Sequence, residues 1–405
     1  MGRRKRRNPW CCPSDSSWSS AMTLGAELRV YLLTFKCLGL FCITLECDSG
    51  FRSYASRTDG KISLIGLLCS QCISLVALGH LAFRPGEYKL PLNGDVGNTY
   101  FLANYGLACL TIVLIHLYFY VRRSRLTSLV SLLLHHNRTD LENRHEGEFA
   151  RVYAVYASQV LLSAFVQFNS FVDADVELWK KVVLSAISTY SYILIGLVVS
   201  FHYCLVRISA SLMLLYNQDL SQLVDCNLVL SETLCVLRLR QRSRLLWVCS
   251  RRISSEFGLI IVLIMAFLLF SAPAAPFFLI IIAFEIDAGN IEMQILWHGL
   301  TTTLLWNLSI MVAILMTLRT DLVRKEANKT AKILAKVPRT GTGLDRMIEK
   351  FLLKNLRQQP ILTAYGFFAL DKSTLFKLFT AIFTYMVILV QFKEMEITTK
   401  TTNKF

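Results

Sequence analysis

Ile388, Gln391 and Phe392 stand at i, i+3 and i+4 near the end of the last apolar stretch of the chain, so a helix there puts them on one face. Thr384 and Tyr385 extend that face by one turn. The stretch covers 374–392, 19 residues, and as a helix it spans about 28 Å, enough to cross a bilayer. A carboxamide in hydrocarbon lacks hydrogen-bond partners, so the Gln391 face should meet protein or water. Spacing alone leaves two readings open. In one, Gln391 makes an ordinary cross-helix hydrogen bond worth about 0.6–2 kcal/mol. In the other, several copies of the helix surround an ion pathway. Ile388 and Phe392 then form apolar rings that resist wetting when narrow, and Gln391 supplies amide dipoles that replace part of an ion's hydration shell. No Asp or Glu lies between Thr384 and Phe392, so such a pathway would select weakly among cations.

The elements that must position this face are other spans. The chain has 405 residues, 54% hydrophobic and 18% charged, against about 25% charged in an ordinary soluble domain. A net charge of +15 would suit nucleic acid, but the basic residues cluster between apolar runs, so a nucleic-acid partner is not expected. Seven segments are long and apolar enough to cross: 62–83, 100–121, 152–172, 181–206, 257–283, 295–318 and 374–392. Residues 28–45 are also apolar but contain Arg29 and Lys36, and a central Lys costs about 3 kcal/mol on insertion, so an interfacial or re-entrant helix is preferred to an eighth span. With the amino terminus inside, segments 1–61, 122–151, 207–256 and 319–373 carry 35 of the 43 Lys and Arg, a strong positive-inside signal. The expectation is an all-α membrane protein of seven helices with an intracellular amino terminus and an extracellular tail, 393–405.

The remaining chemistry-bearing residues exclude several classes. None of the 12 Cys falls in an outer loop, so no extracellular disulfide is expected, and no Cys/His spacing resembles a metal site. No H-E-x-x-H, G-x-S-x-G or phosphate-binding glycine loop is present, and neither an enzyme nor a cofactor is expected. No internal repeat supports a secondary transporter. A G-protein-coupled receptor would have the reverse orientation, and its Asp/Glu-Arg-Tyr and Asn-Pro-x-x-Tyr motifs are missing. Arg3–Arg7 lacks a following apolar core, so no cleavable signal peptide is expected. With Cys11 and Cys12 it suits either an unstructured tail or a lipid-modified membrane contact, and Met22 is an alternative start. Asn137 and Asn328 fit the glycosylation pattern but fall on the inner side.

The inner segments read as helices. Segment 207–256 continues the fourth and fifth spans inward, and the sixth continues to the break at Pro338 and Gly341. Leu344–Leu356 is a separate amphipathic helix. These basic helices suit a solvated surface or a packed domain that joins subunits. Pro273 and Pro276 must kink the fifth span. Polar and aromatic residues in the outer halves of the spans could line a small-molecule pocket: Asn104, Tyr105, Gln167, Asn169, Tyr190, Tyr192, Trp297, His298 and Trp306. Belt aromatics and interhelical hydrogen bonds are the competing reading for each.

Two stretches carry a family resemblance. The ending Thr384-Tyr385, five hydrophobic residues, then Gln391-Phe392 resembles the carboxy-terminal signature of the insect gustatory receptors. Gln359-Pro360 and Thr363-Ala364-Tyr365-Gly366-Phe367-Phe368-Ala369-Leu370-Asp371 resemble the block before their final helix, and Phe35–Phe41 resembles their short helix before the first span. The resemblance favours the ion-pathway reading. It implies a ligand-gated, weakly selective cation channel of four subunits, homomeric or shared with other gustatory receptors, in the plasma membrane of chemosensory neurons. It implies that the inner helices join the subunits, and that positions matching Ile388, Gln391 and Phe392 form the constriction. Sugar-sensing members carry an acidic residue after the Thr-Tyr pair, where this chain has Met386, so a bitter or repellent tastant is favoured. An odorant receptor of the same superfamily is the alternative.

Overall fold

A computed structural model describes residues 33–40, 43–47, 54–58, 60–84, 94–136, 178–225, 232–287, 293–318, 321–336, 343–357, 363–370 and 372–402, with residues 154, 157, 158, 161, 162, 164 and 165 also helical. The helices are α1 (Gly60–Phe83), α2 (Gly94–His136), α3 (Leu178–Asp225), α4 (Glu232–Ser271) and α5 (Ala274–Asp287). They continue as α6 (Met293–Leu318), α7 (Asp321–Leu334), α8 (Gly343–Arg357) and α9 (Lys372–Thr402). Two small antiparallel hairpins join them, β1 (Ile43–Cys47) with β2 (Tyr54–Thr58), and β3 (Thr363–Ala364) with β4 (Phe368–Ala369). Among the described residues, six helices are long and apolar enough to cross a membrane. Most of the expected span 152–172, with Gln167 and Asn169, lies outside the described residues, as does the Arg3–Arg7 run.

The core is formed where α2, α3, α4 and α6 meet, around Ile115, Phe119, Leu194, Phe201, Phe257, Ile261 and Ala313. These helices are apolar on nearly every side, because a span must satisfy its backbone internally and meet either protein or lipid. α1 is covered by its own chain over only 6% of its apolar window, leaving Ile65, Leu68, Ile73 and Val76 exposed. Water would penalise that surface, and lipid chains would not.

The segment expected as a helix over 28–45 differs in form. Residues 33–37 make a helical turn, and β1 begins at Ile43. Gly39 ends the turn at φ 74°, and a Cβ there would overlap the Leu67 backbone nitrogen of α1. Phe35 is buried against Phe119 at 5.8 Å and Phe201 at 5.1 Å between ring centroids. His116 anchors the turn from α2. Its Nδ1 lies 2.8 Å from the Ile112 carbonyl, and its Nε2 lies 3.0 Å from the Leu38 carbonyl, 3.1 Å from Ser70 Oγ and 3.3 Å from Tyr190 Oη. A buried imidazole thus satisfies polar groups that hydrocarbon would leave unpaired.

The β3–β4 hairpin sits before α9. Tyr365 and Gly366 turn it with φ 52° and 84°, a left-handed pair that glycine accepts readily and tyrosine does not. The hairpin is fastened to α4. Ser254 Oγ donates to the Thr363 carbonyl at 2.6 Å, and Thr363 N donates back to Ser254 Oγ at 3.2 Å. Gly258 leaves room for the Tyr365 backbone, which a Cβ at position 258 would overlap. Thr374 Oγ1 then donates to the Ala369 carbonyl at 2.5 Å in the first turn of α9. The hairpin is therefore a strap between α4 and the last helix. The same stretch of α4 is held to α2, where Tyr118 Oη donates to the Glu256 carbonyl at 2.5 Å and Arg122 pairs with the Glu256 carboxylate at 3.5 Å.

Gly258→Ala should force the strap off α4 and cost about 1–3 kcal/mol, the usual range for overpacking. Gly79→Ala in α1, where nothing lies within 4 Å of the added methyl, should be neutral or slightly stabilising. Thermal unfolding of the two purified variants beside the parent checks this, and equal melting temperatures for both would contradict the strap contact.

Candidate functional site

α9 extends ten residues past the expected end of the last span at 392, so most of the expected tail 393–405 is helical. Its own chain covers only 6% of its apolar window. The uncovered side carries Thr384, Ile388 (40% exposed), Gln391 and Phe392 (50% exposed), the residues whose spacing predicts a shared face. Tyr385 departs from that grouping. It turns toward the bundle, its ring 5.9 Å from Phe270 and 6.2 Å from Tyr100. One turn on, Leu389 is buried with Tyr100, Ala274, Phe277 and Ile281. The reason is angular. Residues three and four apart diverge by about 60° and 40° in opposite senses on a 3.6-residue helix, so Tyr385 and Gln391 fall on opposite flanks of Ile388.

The surface that α9 meets is the break in the fifth span. α4 ends at Ser271 and α5 starts at Ala274, with Ala272 and Pro273 as a turn between them. Proline removes a backbone donor, and carbonyls beside the break need partners. Tyr100 Oη donates to the Phe270 carbonyl at 2.5 Å, and Ser271 Oγ donates to Asn104 Oδ1 at 2.7 Å. Both partners come from α2, one turn apart. Ring contacts continue the contact to Phe277 and Phe278 at 5.9 and 6.3 Å from Tyr100.

The expected pocket residues divide. Asn104 meets the break itself. Tyr105 is buried on Phe101, at 4.6 Å, and Phe101 touches Phe278. The Tyr105 hydroxyl is buried. Tyr192 of α3 packs on Phe267 of α4 at 5.6 Å. These three gather against α4 and α5 as an aromatic wall with a few polar atoms. Tyr190 faces elsewhere, stacked on His116 at 6.2 Å, and belongs to the anchor of the amino-terminal turn. Trp297 is 62% exposed on α6, away from the wall. His298 and Trp306 lie on α6, with side chains outside the described residues.

Sequence reasoning missed a clamp near the carboxy-terminal end of α9. The Glu396 carboxylate accepts from the backbone nitrogens of Asp95 at 3.0 Å and Val96 at 3.3 Å, in the first turn of α2. Lys393 Nζ lies 3.7 Å from the same carboxylate, and both side chains are about nine-tenths buried. An acidic group at a helix start is favoured by the unpaired N–H groups and the dipole there. The signal available in the sequence was the Lys393/Glu396 spacing in a segment expected as a tail; the partner is some 300 residues away.

A sequence model described as 7tm Chemosensory receptor matches residues 28–396. Gustatory and pheromone receptor 39a, isoform D, of Drosophila melanogaster is 38% identical over 388 residues, covering 94% of this chain and 98% of the relative. Isoform A of the same receptor is 38% identical over 386 residues, covering 94% of this chain and 98% of the relative. The olfactory receptor OR5 from Machilis hrabei, solved in complex with eugenol, aligns with 92% of this chain and 99% of its own, at TM-score 0.55 and 11% identity. That likeness concerns the fold.

Replacing Glu396 by Leu should strand the buried Lys393 ammonium and cost about 3 kcal/mol. The Lys393→Met/Glu396→Leu double variant should recover part of the loss, because no unpaired charge remains. Thermal melts of both variants measure the difference, and a double variant no more stable than the single would argue against the clamp.

Proposed function

The chain belongs to the seven-transmembrane chemosensory receptors, as a gustatory receptor of insects, and from that premise we propose that it is a ligand-gated, weakly selective cation channel. Four subunits set their α9 helices around one axis, with the amino terminus inside the cell. α7 and α8 join the subunits on the inner side. The observation that carries the proposal is the exposure of Thr384, Ile388 (40%), Gln391 and Phe392 (50%) on α9 while Tyr385 and Leu389 pack against the bundle. An isolated span with that exposure would face lipid with a carboxamide on it, which is unfavourable; an axis shared with other copies gives the amide water and ions. The constriction is assigned to Ile388, Gln391 and Phe392, with Thr384 one turn inward. Tyr385 is assigned to the contact with the bundle.

The ligand site is placed at the wall formed by Asn104, Tyr105 and Tyr192 beside the break at Ala272–Pro273. Aromatic surface with few polar atoms fits a small organic molecule. A bitter or repellent tastant is the first reading, in the plasma membrane of chemosensory neurons. A pheromone is the second, favoured by the name of the 38% identical relatives, gustatory and pheromone receptor 39a. Expression of the receptor alone and with other gustatory receptor subunits, challenged with both ligand classes while current is recorded, separates them.

The channel proposal has a sharper test at single residues. Cysteines introduced at Thr384, Ile388 and Gln391 should react with a water-soluble charged thiol reagent and reduce the ligand-evoked current. Cysteine at Leu389 should not react. Gln391→Glu should raise relative divalent permeability severalfold, because a carboxylate ring binds divalent ions more strongly than amides do. Currents unchanged at all four positions, with normal surface expression, would remove α9 from the pathway.

A further inference from the structure

The inner continuation of α3 and the helix α7 lie side by side and line an open cavity of about 430 Å³. From α3 come Arg207, Ala210, Ser211 and Leu214, which share one face at i, i+3, i+4 and i+7. From α7 come Leu322, Lys325, Glu326, Asn328, Lys329 and Lys332. The two helices are pinned below the cavity by a polar network. Asn217 Nδ2 donates to the Glu326 carbonyl at 3.0 Å and to its carboxylate at 3.1 Å, and Thr330 Oγ1 donates to Asn217 Oδ1 at 2.9 Å. Thr330 is fully buried, so the walls are held apart by packed structure rather than by loose side chains.

The charge is one-sided. Arg207, Lys325, Lys329 and Lys332 line the cavity, and Glu326 is the one carboxylate among the lining residues. Glu326 already meets Lys329 at 2.6 Å and Asn217. The small residues Ala210 and Ser211 leave the volume, while Leu214 and Leu322 give it an apolar floor. Arg207 is the first charged residue after the apolar run of α3, and its guanidinium lies over the Tyr203 ring at 6.0 Å, a pairing typical of the membrane–water boundary. The cavity therefore opens where the fourth span leaves the bilayer on its basic side.

We propose that this cavity binds a phosphate-bearing headgroup, that of an anionic phosphoinositide in the inner leaflet. Ammonium groups on successive turns of α7 and a guanidinium from α3 surround a ligand on two sides, and arginine pairs two phosphate oxygens at once. A volume of about 430 Å³ exceeds one phosphate and suits a sugar-sized headgroup carrying several. Basic pockets between helices on the inner side of a membrane are favoured by the negative potential of that leaflet. The inference rests on the inward orientation of α3 and α7 proposed above, and it stands apart from the ion pathway.

Binding is measured on purified full-length receptor without tastant. One arm uses phosphatidylcholine vesicles with and without a small fraction of phosphatidylinositol 4,5-bisphosphate. A second arm uses soluble inositol trisphosphate and inorganic phosphate as free ligands. The receptor should prefer phosphoinositide vesicles, and inositol trisphosphate should compete. Lys325→Gln and Lys332→Gln should each weaken binding about fivefold, the value of about 1 kcal/mol per cation at a charged surface. Lys350→Gln on the exposed side of α8 removes the same charge elsewhere and should leave binding unchanged. Binding of inositol trisphosphate or inorganic phosphate with no vesicle preference would keep the phosphate site and assign it to a soluble ligand. Equal losses for Lys350→Gln and the two cavity variants, or no binding in either arm, would overturn the site. Because current is not read, failure of the ion-pathway proposal leaves this result unaffected.

Discussion

A break in a membrane helix exposes backbone groups that no water can reach, and the rest of this fold is arranged around satisfying one such break. At Ala272–Pro273 the fifth span stops and restarts, and Tyr100 and Asn104 of α2 meet the carbonyl and hydroxyl beside it. An unpaired group there would cost on the order of several kcal/mol in hydrocarbon. That requirement fixes α2 against α4 and α5. It also builds the aromatic surface of Tyr100, Phe270, Phe277 and Phe278 on which α9 rests.

α9 is attached to the subunit through contacts of different chemistry, and Leu378 in its first half is buried in the main core. At its amino-terminal end the strap of 363–370 holds it to α4 through Ser254 and the space at Gly258. At mid-height Tyr385 and Leu389 pack on the break. Toward its carboxy-terminal end the Glu396 carboxylate meets the start of α2 with Lys393 beside it. Between these attachments most of the helix surface is bare: Phe376 is 75% exposed and Phe383 63%. Dispersion contacts with other copies supply what the chain itself does not, in the four-subunit arrangement proposed above.

Much of this was legible in the chain. Long apolar runs identify spans because only helices and closed barrels satisfy backbone in lipid. Pro273 announced the kink. Helical spacing groups Thr384, Ile388, Gln391 and Phe392, and all four are exposed in the folded chain. What spacing did not supply was direction. Tyr385 adjoins Thr384 in sequence yet stacks on Phe270, because only packing decides which flank a neighbouring bundle covers. Residues 28–45 read as one helix from hydropathy, whereas Gly39 and the bonds of His116 end the turn early. Long-range polar contacts were out of reach for the same reason. Glu396 with Asp95, Ser254 with Thr363 and Asn217 with Glu326 join segments 100 or more residues apart, and local periodicity carries no trace of them.

The same geometry bears on how a ligand would act. The wall assigned to the ligand and the packed flank of α9 both reach the break, Asn104 through Ser271 and Tyr385 through Phe270. A ligand shifts a conformational equilibrium only through contacts that differ between its states. Helix ends at a broken span can change direction with small backbone rotations, whereas the continuous helices of the core cannot without losing hydrogen bonds. The turn at Ala272–Pro273 interrupts the helix in the surface against which Tyr385 and Leu389 pack.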